Sequence, residues 1–280
     1  MITFETIHDF LNEIEPIYAG LGSVTQDDYL KRGMPYFRGV SDKDHRLIPS
    51  AYRANETCDS PKKFRKYERE CLHNFMREAR RYSSIPEDDI WNWTVLAQHH
   101  GVPTRLLDIT RNPLVAMWFA CLGQDDMNKD GAVYVISGEL QMQGIEKRDY
   151  ERKKHKDIIS GILSGDKKYE AVQKPFVVEP YFLEERMATQ RSAFLVWGFD
   201  QKPLQETDSL ADTVSRTASS AAGAGSAAGA GIHVKKIVIP AESKDAALQC
   251  LSILGIDERF IYPGLDGIGR YIKRTNDMEF

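Results

Sequence analysis

Residues 91–120 read WNWTVLAQHHGVPTRLLDITRNPLVAMWFA, and the succession of side chains in this stretch sets the architecture. Trp91 to His100 has the composition of a helix, and Gly101 and Pro103 break it. Arg105 to Ile109 (RLLDI) then reads as a short buried strand. Asn112 and Pro113 supply a cap and a first-turn proline, and Gly123 a stop, around the apolar run Leu114 to Leu122. That last helix is apolar all round, so it belongs at the centre of the molecule.

Working outward, Thr6 to Tyr18 carries Ile7, Phe10, Leu11, Ile14 and Ile17 at helical spacing, and Pro35 to Val40 (PYFRGV) suits a strand entering a turn. A long amphipathic helix begins at Ser60-Pro61 and runs through Phe64, Tyr67, Cys71, Phe75 and Ala79 to Tyr82. Its other face holds Lys62, Lys63, Arg65, Lys66, Arg69, Arg77, Arg80 and Arg81, with Glu68, Glu70 and Glu78 interspersed, and reads as a solvated face. Gly131 to Ser137 (GAVYVIS) is a strand of the continuous apolar kind, covered on both faces. Glu146 to Asp157 reads as an exposed charged helix, Ala193 to Trp197 and Val234 to Ile239 as strands, and Ser243 to Leu254 and the end of Tyr262 to Arg274 as helices. The expected class is α+β (mixed α/β), a single compact domain with a central mixed sheet flanked by helices.

The chain has 280 residues with 37 Lys+Arg against 41 Asp+Glu, a formal charge of -4 that gives no global pull toward nucleic acid or anionic lipid. Cys58, Cys71, Cys121 and Cys250 are scattered without metal-finger spacing, so neither a zinc module nor a disulfide framework is expected, and the compartment reads as a reducing cytoplasm. No signal peptide or membrane helix is evident. SAAGAG occurs twice in tandem, at Ser220–Gly225 and Ser226–Gly231. Residues 218–231 therefore read as a flexible, engineered linker spanning on the order of 20 Å.

Chemistry concentrates in the turn after the first helix of the opening stretch. His99 and His100 diverge by about 100° on a helix end, so one faces a site and the other caps or packs, and the sequence leaves open which. No metal is expected from this pattern. Arg105 and Asp108 point to opposite faces of their strand, and Asp108 is equally well explained by a buried ion pair with Arg38 or Arg105.

Three sets of residues carry a family resemblance. Tyr36-Phe37-Arg38-Gly39, then Leu96 to Thr110 (LAQHHGVPTRLLDIT), then Asn112 to Ala116 (NPLVA) are similar to the FRG domain, which is named for its Phe-Arg-Gly signature. Arg186 to Phe194 (RMATQRSAF), Leu254-Gly255-Ile256 and Tyr262 to Ile268 resemble its later segments, so the likeness runs from about residue 30 to 272. It departs at Arg191-Ser192, where the family more often has Gln-Gly. The family occurs in bacterial and phage-related genomes, and the resemblance implies a toxin or antiviral-defence effector.

A second likeness, to ADP-ribosyltransferase folds, lies in the order of elements: Arg38-Gly39 on a first strand, Thr110 on a later strand feeding an Ala-rich and aromatic helix, and Glu184, Glu185 or Gln190 before a still later strand. It implies that NAD is bound by Arg38, Gly39, Arg105, Asp108, Thr110 and Arg186, with His99, His100, Glu184, Glu185 and Gln190 as catalytic candidates. The reaction would be ADP-ribosyl transfer to a protein or nucleic-acid acceptor, or NAD hydrolysis. Two other classes fit the residues: a nuclease or RNA-binding protein using the histidines, Asp108 or the basic helix face, and a non-catalytic domain recognising a phage protein or antitoxin.

Overall fold

The structure is a computed structural model that describes residues 5–19, 34–53, 61–123, 127–138, 155–170, 172, 174–179, 185–198, 204 and 232–277. The tandem linker, residues 146–154 of the charged stretch and Glu184 lie outside the described residues. In chain order the elements are α1 (Glu5–Ala19), β1 (Tyr36–Val40), α2 (Ser50–Arg53), α3 (Pro61–Ala79), α4 (Ile90–His99), β2 (Leu106–Thr110), α5 (Pro113–Cys121) and β3 (Gly131–Gly138). They continue with α6 (His155–Ser164), β4 (Phe176–Val178), α7 (Glu185–Thr189), β5 (Ser192–Val196), β6 (Ile232–Ile239), α8 (Lys244–Ile253), α9 (Glu258–Ile261) and α10 (Leu265–Asp277). No described helix is long and apolar enough to cross a membrane.

The α+β class holds, with one six-stranded sheet in the order β4-β5-β2-β1-β3-β6. Its ladders are all antiparallel rather than mixed. The continuous apolar run of β3 arises because helices and loops cover both faces there, not because its neighbours are parallel.

Local chemistry accounts for the central elements. Asp89 caps α4 by accepting from the Asn92 amide, and Gly101 ends that helix with φ 78°, a left-handed value open to glycine at no steric cost. Asn112 caps α5 through the amides of Leu114 and Val115, with Pro113 in the first turn, as the sequence predicts. Gly39 is required because a β-carbon there would lie 1.8 Å from the Ala116 carbonyl oxygen, so α5 can lie directly on β1. Six residues of α5 are fully buried, including Trp118.

Two separate groups of helices cover the same face of the sheet. Residues of α1, α5 and α8 pack with Phe37, Val133, Val135, Ile237 and Ile239 over the β1-β3-β6 half. Residues of α3, α4 and α6 pack with Leu106, Phe176, Val178, Phe194 and Val196 over the β4-β5-β2 half. The side chains of Asp108 and Thr110, and the open α-carbon of Gly39, fall on this same face by strand register, along the line where the two groups meet.

Candidate functional site

The sheet is weakest where β1 meets β2. These strands are in register only at Phe37 and Thr110, whereas the ladders on either side, β1 with β3 and β2 with β5, each run five residues. Toward Asp108 a side chain takes over from the ladder: the Arg38 guanidinium Nη1 donates to the Asp108 backbone carbonyl at 2.8 Å. A strand carbonyl that lacks a backbone donor is thereby satisfied.

A cleft of about 280 Å³ opens over this junction. Gly39, Asp108, Thr110, Ser192 and Phe194 line its floor, Val115, Ala116 and Phe119 of α5 one wall, and Val95, Gln98 and His99 of α4 the other. Arg186, Met187 and Gln190 close one end from α7 and the turn after it. Among the described residues Asp108 is the one acid that lines it.

Arg38 lies 3.7 Å from the Asp108 carboxylate and keeps about a quarter of its side chain exposed (26%). Its Nε is buried and has no hydrogen-bond partner. Desolvation lowers the Arg38 pKa from its ordinary value, Asp108 offsets part of this, and the Arg53 charge adds to the lowering. The arginine stays charged, with donor capacity to spare.

Asp108 is held from the other side by a short relay. The Thr104 hydroxyl accepts from the Leu106 amide at 3.1 Å and donates to Gln98 Oε1 at 2.6 Å. Gln98 Nε2 in turn donates to Asp108 Oδ2 at 2.8 Å. Because the hydroxyl proton goes to Oε1, the amide of Gln98 can present only its NH2 to the carboxylate. The Asp108 side chain is nonetheless 53% exposed, so one of its oxygens remains available to a ligand.

The other sequence candidates divide clearly. His99 lines the cleft, whereas His100 is exposed, caps α4 and rests near the Phe75 ring with centroids 6.1 Å apart. Arg105 is not in the cleft at all: it is 1% exposed and its Nε donates to Glu68 Oε1 at 2.8 Å, while its Nη1 donates to the carbonyls of Trp197 and Gly198. Burial works against that charge, but Glu68 more than compensates and the Arg105 pKa is raised. Arg105 is therefore a structural cation, and Asp108 pairs with Arg38 and not with Arg105.

Thr110 reaches the cleft with its hydroxyl proton committed to the Gln190 carbonyl at 2.5 Å, and it accepts from the Asn112 amide at 2.9 Å. Its role is to tie the end of β2 to the turn before β5, not to donate to a ribose. Gln190 spends its Nε2 on the Ile261 carbonyl at 2.9 Å, and the Arg186 guanidinium lies 4.5 Å over the Tyr262 ring. Glu185 begins α7 as an exposed residue outside the cleft lining. Gly39 lines the cleft, but the space its missing β-carbon leaves belongs to α5.

Two residues escape the sequence reading. Gln98, inside the quoted motif, is the Asp108 positioning group, and only the three-dimensional relay reveals it. Glu68 is buried rather than part of the solvated face. Its spacing carried the signal, since it lies four residues from both Phe64 and Leu72, which are buried on the inner face of α3. Among the described residues no three His, Cys, Asp or Glu side chains gather as a metal site.

Residues 34–129 match the family model of the FRG domain. This segment holds Arg38, Gln98, His99, Asp108 and Thr110 and ends before Arg186 and Gln190. No curated protein and no solved structure matches the chain.

Proposed function

From the premise that the chain carries an FRG domain at residues 34–129, we propose that its cleft is an enzyme active site for NAD, cleaving the nicotinamide–ribose bond with transfer of ADP-ribose to an acceptor or to water. The observation that carries this reading is the convergence of Arg38, His99 and Asp108, from three distant elements, on one cleft at the opened β1–β2 junction. About 280 Å³ lies just below the range of small-molecule sites, roughly 300–1,000 Å³, and so suits one end of a dinucleotide. The partly exposed Arg38 side chain offers a charged donor to a phosphate or ribose oxygen. Phe119 on one wall and Phe194 on the floor give the nicotinamide ring apolar surfaces.

In the reaction, the bond between the anomeric carbon and the nicotinamide nitrogen breaks and its electron pair leaves with nicotinamide. The acceptor oxygen bonds to the anomeric carbon, and its proton passes to His99. Asp108 supplies the negative charge that stabilises the cationic transition state, the role that sequence order had given to Glu184, Glu185 or Gln190. The toxin or antiviral-defence role that the family resemblance implies would follow from consumption of NAD or modification of a cellular acceptor.

The test is incubation of the pure protein with labelled NAD and cell extract, following nicotinamide release and label transfer. The expected result is turnover by the parent and a loss of at least tenfold in Asp108→Asn, both proteins melting at similar temperature. Absence of both release and transfer from the parent ends the proposal.

A further inference from the structure

The exposed surface of α3 is unused by the cleft. Lys62, Lys66, Arg69, His73 and Arg77 are all exposed and follow one another at intervals of four, three, four and four residues. At 100° per residue they fall within about 80° of one another around the helix, a single stripe about 22 Å long. The two exposed acids of the helix sit to one side: Glu70 is 3.7 Å from Lys66 and Glu78 is 3.0 Å from Arg77. Exposed pairs of this kind are readily exchanged for another anion.

The stripe does not end in open charge. In the 3-10 turn that follows, Arg80–Tyr82, Arg80 and Arg81 continue the cations, and the Tyr82 ring is 77% exposed with the Arg81 guanidinium 4.7 Å above it. An aromatic of that exposure contributes nothing to the core. The opposite face of α3 is anchored by Phe64, Leu72 and the buried Glu68–Arg105 pair, so the stripe is displayed on a rigid support.

We infer that α3 and the turn after it form a docking rail for single-stranded nucleic acid, its phosphates lying along Lys62, Lys66, Arg69 and Arg77 and a base stacking on Tyr82. Cations tracking a backbone and an exposed ring for a base are the two components of sequence-tolerant strand binding. An overall charge of -4 makes this a local property of one helix and not of the whole chain. The inference does not depend on the chemistry of the cleft.

The experiment measures fluorescence anisotropy of a labelled oligothymidylate against the full chain over a range of salt, without NAD, so that its outcome is separate from that of the NAD assay. Binding is expected to weaken steeply with salt. Neutralising Lys62→Gln, Lys66→Gln and Arg69→Gln together is expected to lower the slope of log K against log salt by about two, at roughly 0.7 per phosphate contact on a single strand. Tyr82→Ala is expected to weaken oligothymidylate about fivefold or more while leaving inorganic polyphosphate binding unchanged. All four positions are exposed, so these variants fold. Equal binding by the triple variant overturns the inference. So does an unchanged oligothymidylate affinity in Tyr82→Ala, which would mark a general polyanion surface, or a preference for phosphatidylserine vesicles over the oligonucleotide.

Discussion

Arg38 and Arg105 approach the same strand and answer two different physical problems. Arg105, which immediately precedes β2, is 1% exposed and fully engaged by the Glu68 carboxylate and the carbonyls of Trp197 and Gly198. Arg38, on β1, has one carbonyl, a carboxylate at 3.7 Å and a buried Nε with nothing to bond. A buried arginine whose every direction is matched holds structure together. One left incompletely matched beside a cleft has capacity in reserve for a ligand, and the same residue type in the same sheet thus separates into scaffold and site.

Breaking the matched pair is expected to have the largest effect. Glu68→Gln leaves the Arg105 charge in the interior without its counter-charge, at a cost of about 3–5 kcal/mol in urea unfolding. A loss below about 1 kcal/mol would mean that the carbonyls of Trp197 and Gly198 suffice and that the contrast between the two arginines is overstated. The Arg38 side of the comparison predicts the opposite distribution. Arg38→Gln removes one hydrogen bond to a partly exposed group, about 1 kcal/mol of stability, while nicotinamide release falls at least tenfold. An equal loss of stability from the two substitutions, with turnover intact in Arg38→Gln, would make both arginines structural.

The contrast also marks where the sequence could be read. The strands at Tyr36–Val40 and Leu106–Thr110 and the helix Pro113–Cys121 were legible because cap, proline and periodic apolar residues act within a few positions of one another. His99 and Asp108 were legible as members of a dense run of functional side chains and Arg38 through the family resemblance, and the structure brings all three to the lining of one cleft. What escaped was set by long-range partners. Arg105 looked like a site residue until Glu68, 37 residues away, claimed it. The hydroxyl of Thr110 looked free until the Gln190 carbonyl, 80 residues away, accepted its proton. Short elements such as β4 and α7 carry too few residues for periodicity to register, and the antiparallel pairing of the sheet follows from how the connections run, not from the composition of any strand.

The turn that closes the cleft supplies the smallest prediction and a sharper test of what that end of the site tolerates. Arg191 is the one described non-glycine residue with positive φ, at 46°, and it sits between Gln190 and β5 where the family resemblance departs from its more frequent glycine-containing pair. Its amide donates to the Ala188 carbonyl at 3.1 Å and its carbonyl accepts from the Arg111 amide at 3.2 Å, so the strained conformation is fixed by hydrogen bonds on both sides. A side chain in the left-handed region costs roughly 1–2 kcal/mol. Glycine removes that cost and returns part of it as greater freedom of the unfolded chain. Arg191→Gly is therefore expected to raise stability by about 0.5–1 kcal/mol, read as a shift of the urea midpoint. Because the Gln190 carbonyl stays in place to receive the Thr110 proton, nicotinamide release is expected to be unchanged. A stabilised protein with impaired turnover would instead show that the Arg191 side chain reaches the ligand, and would move the boundary between scaffold and site to include it.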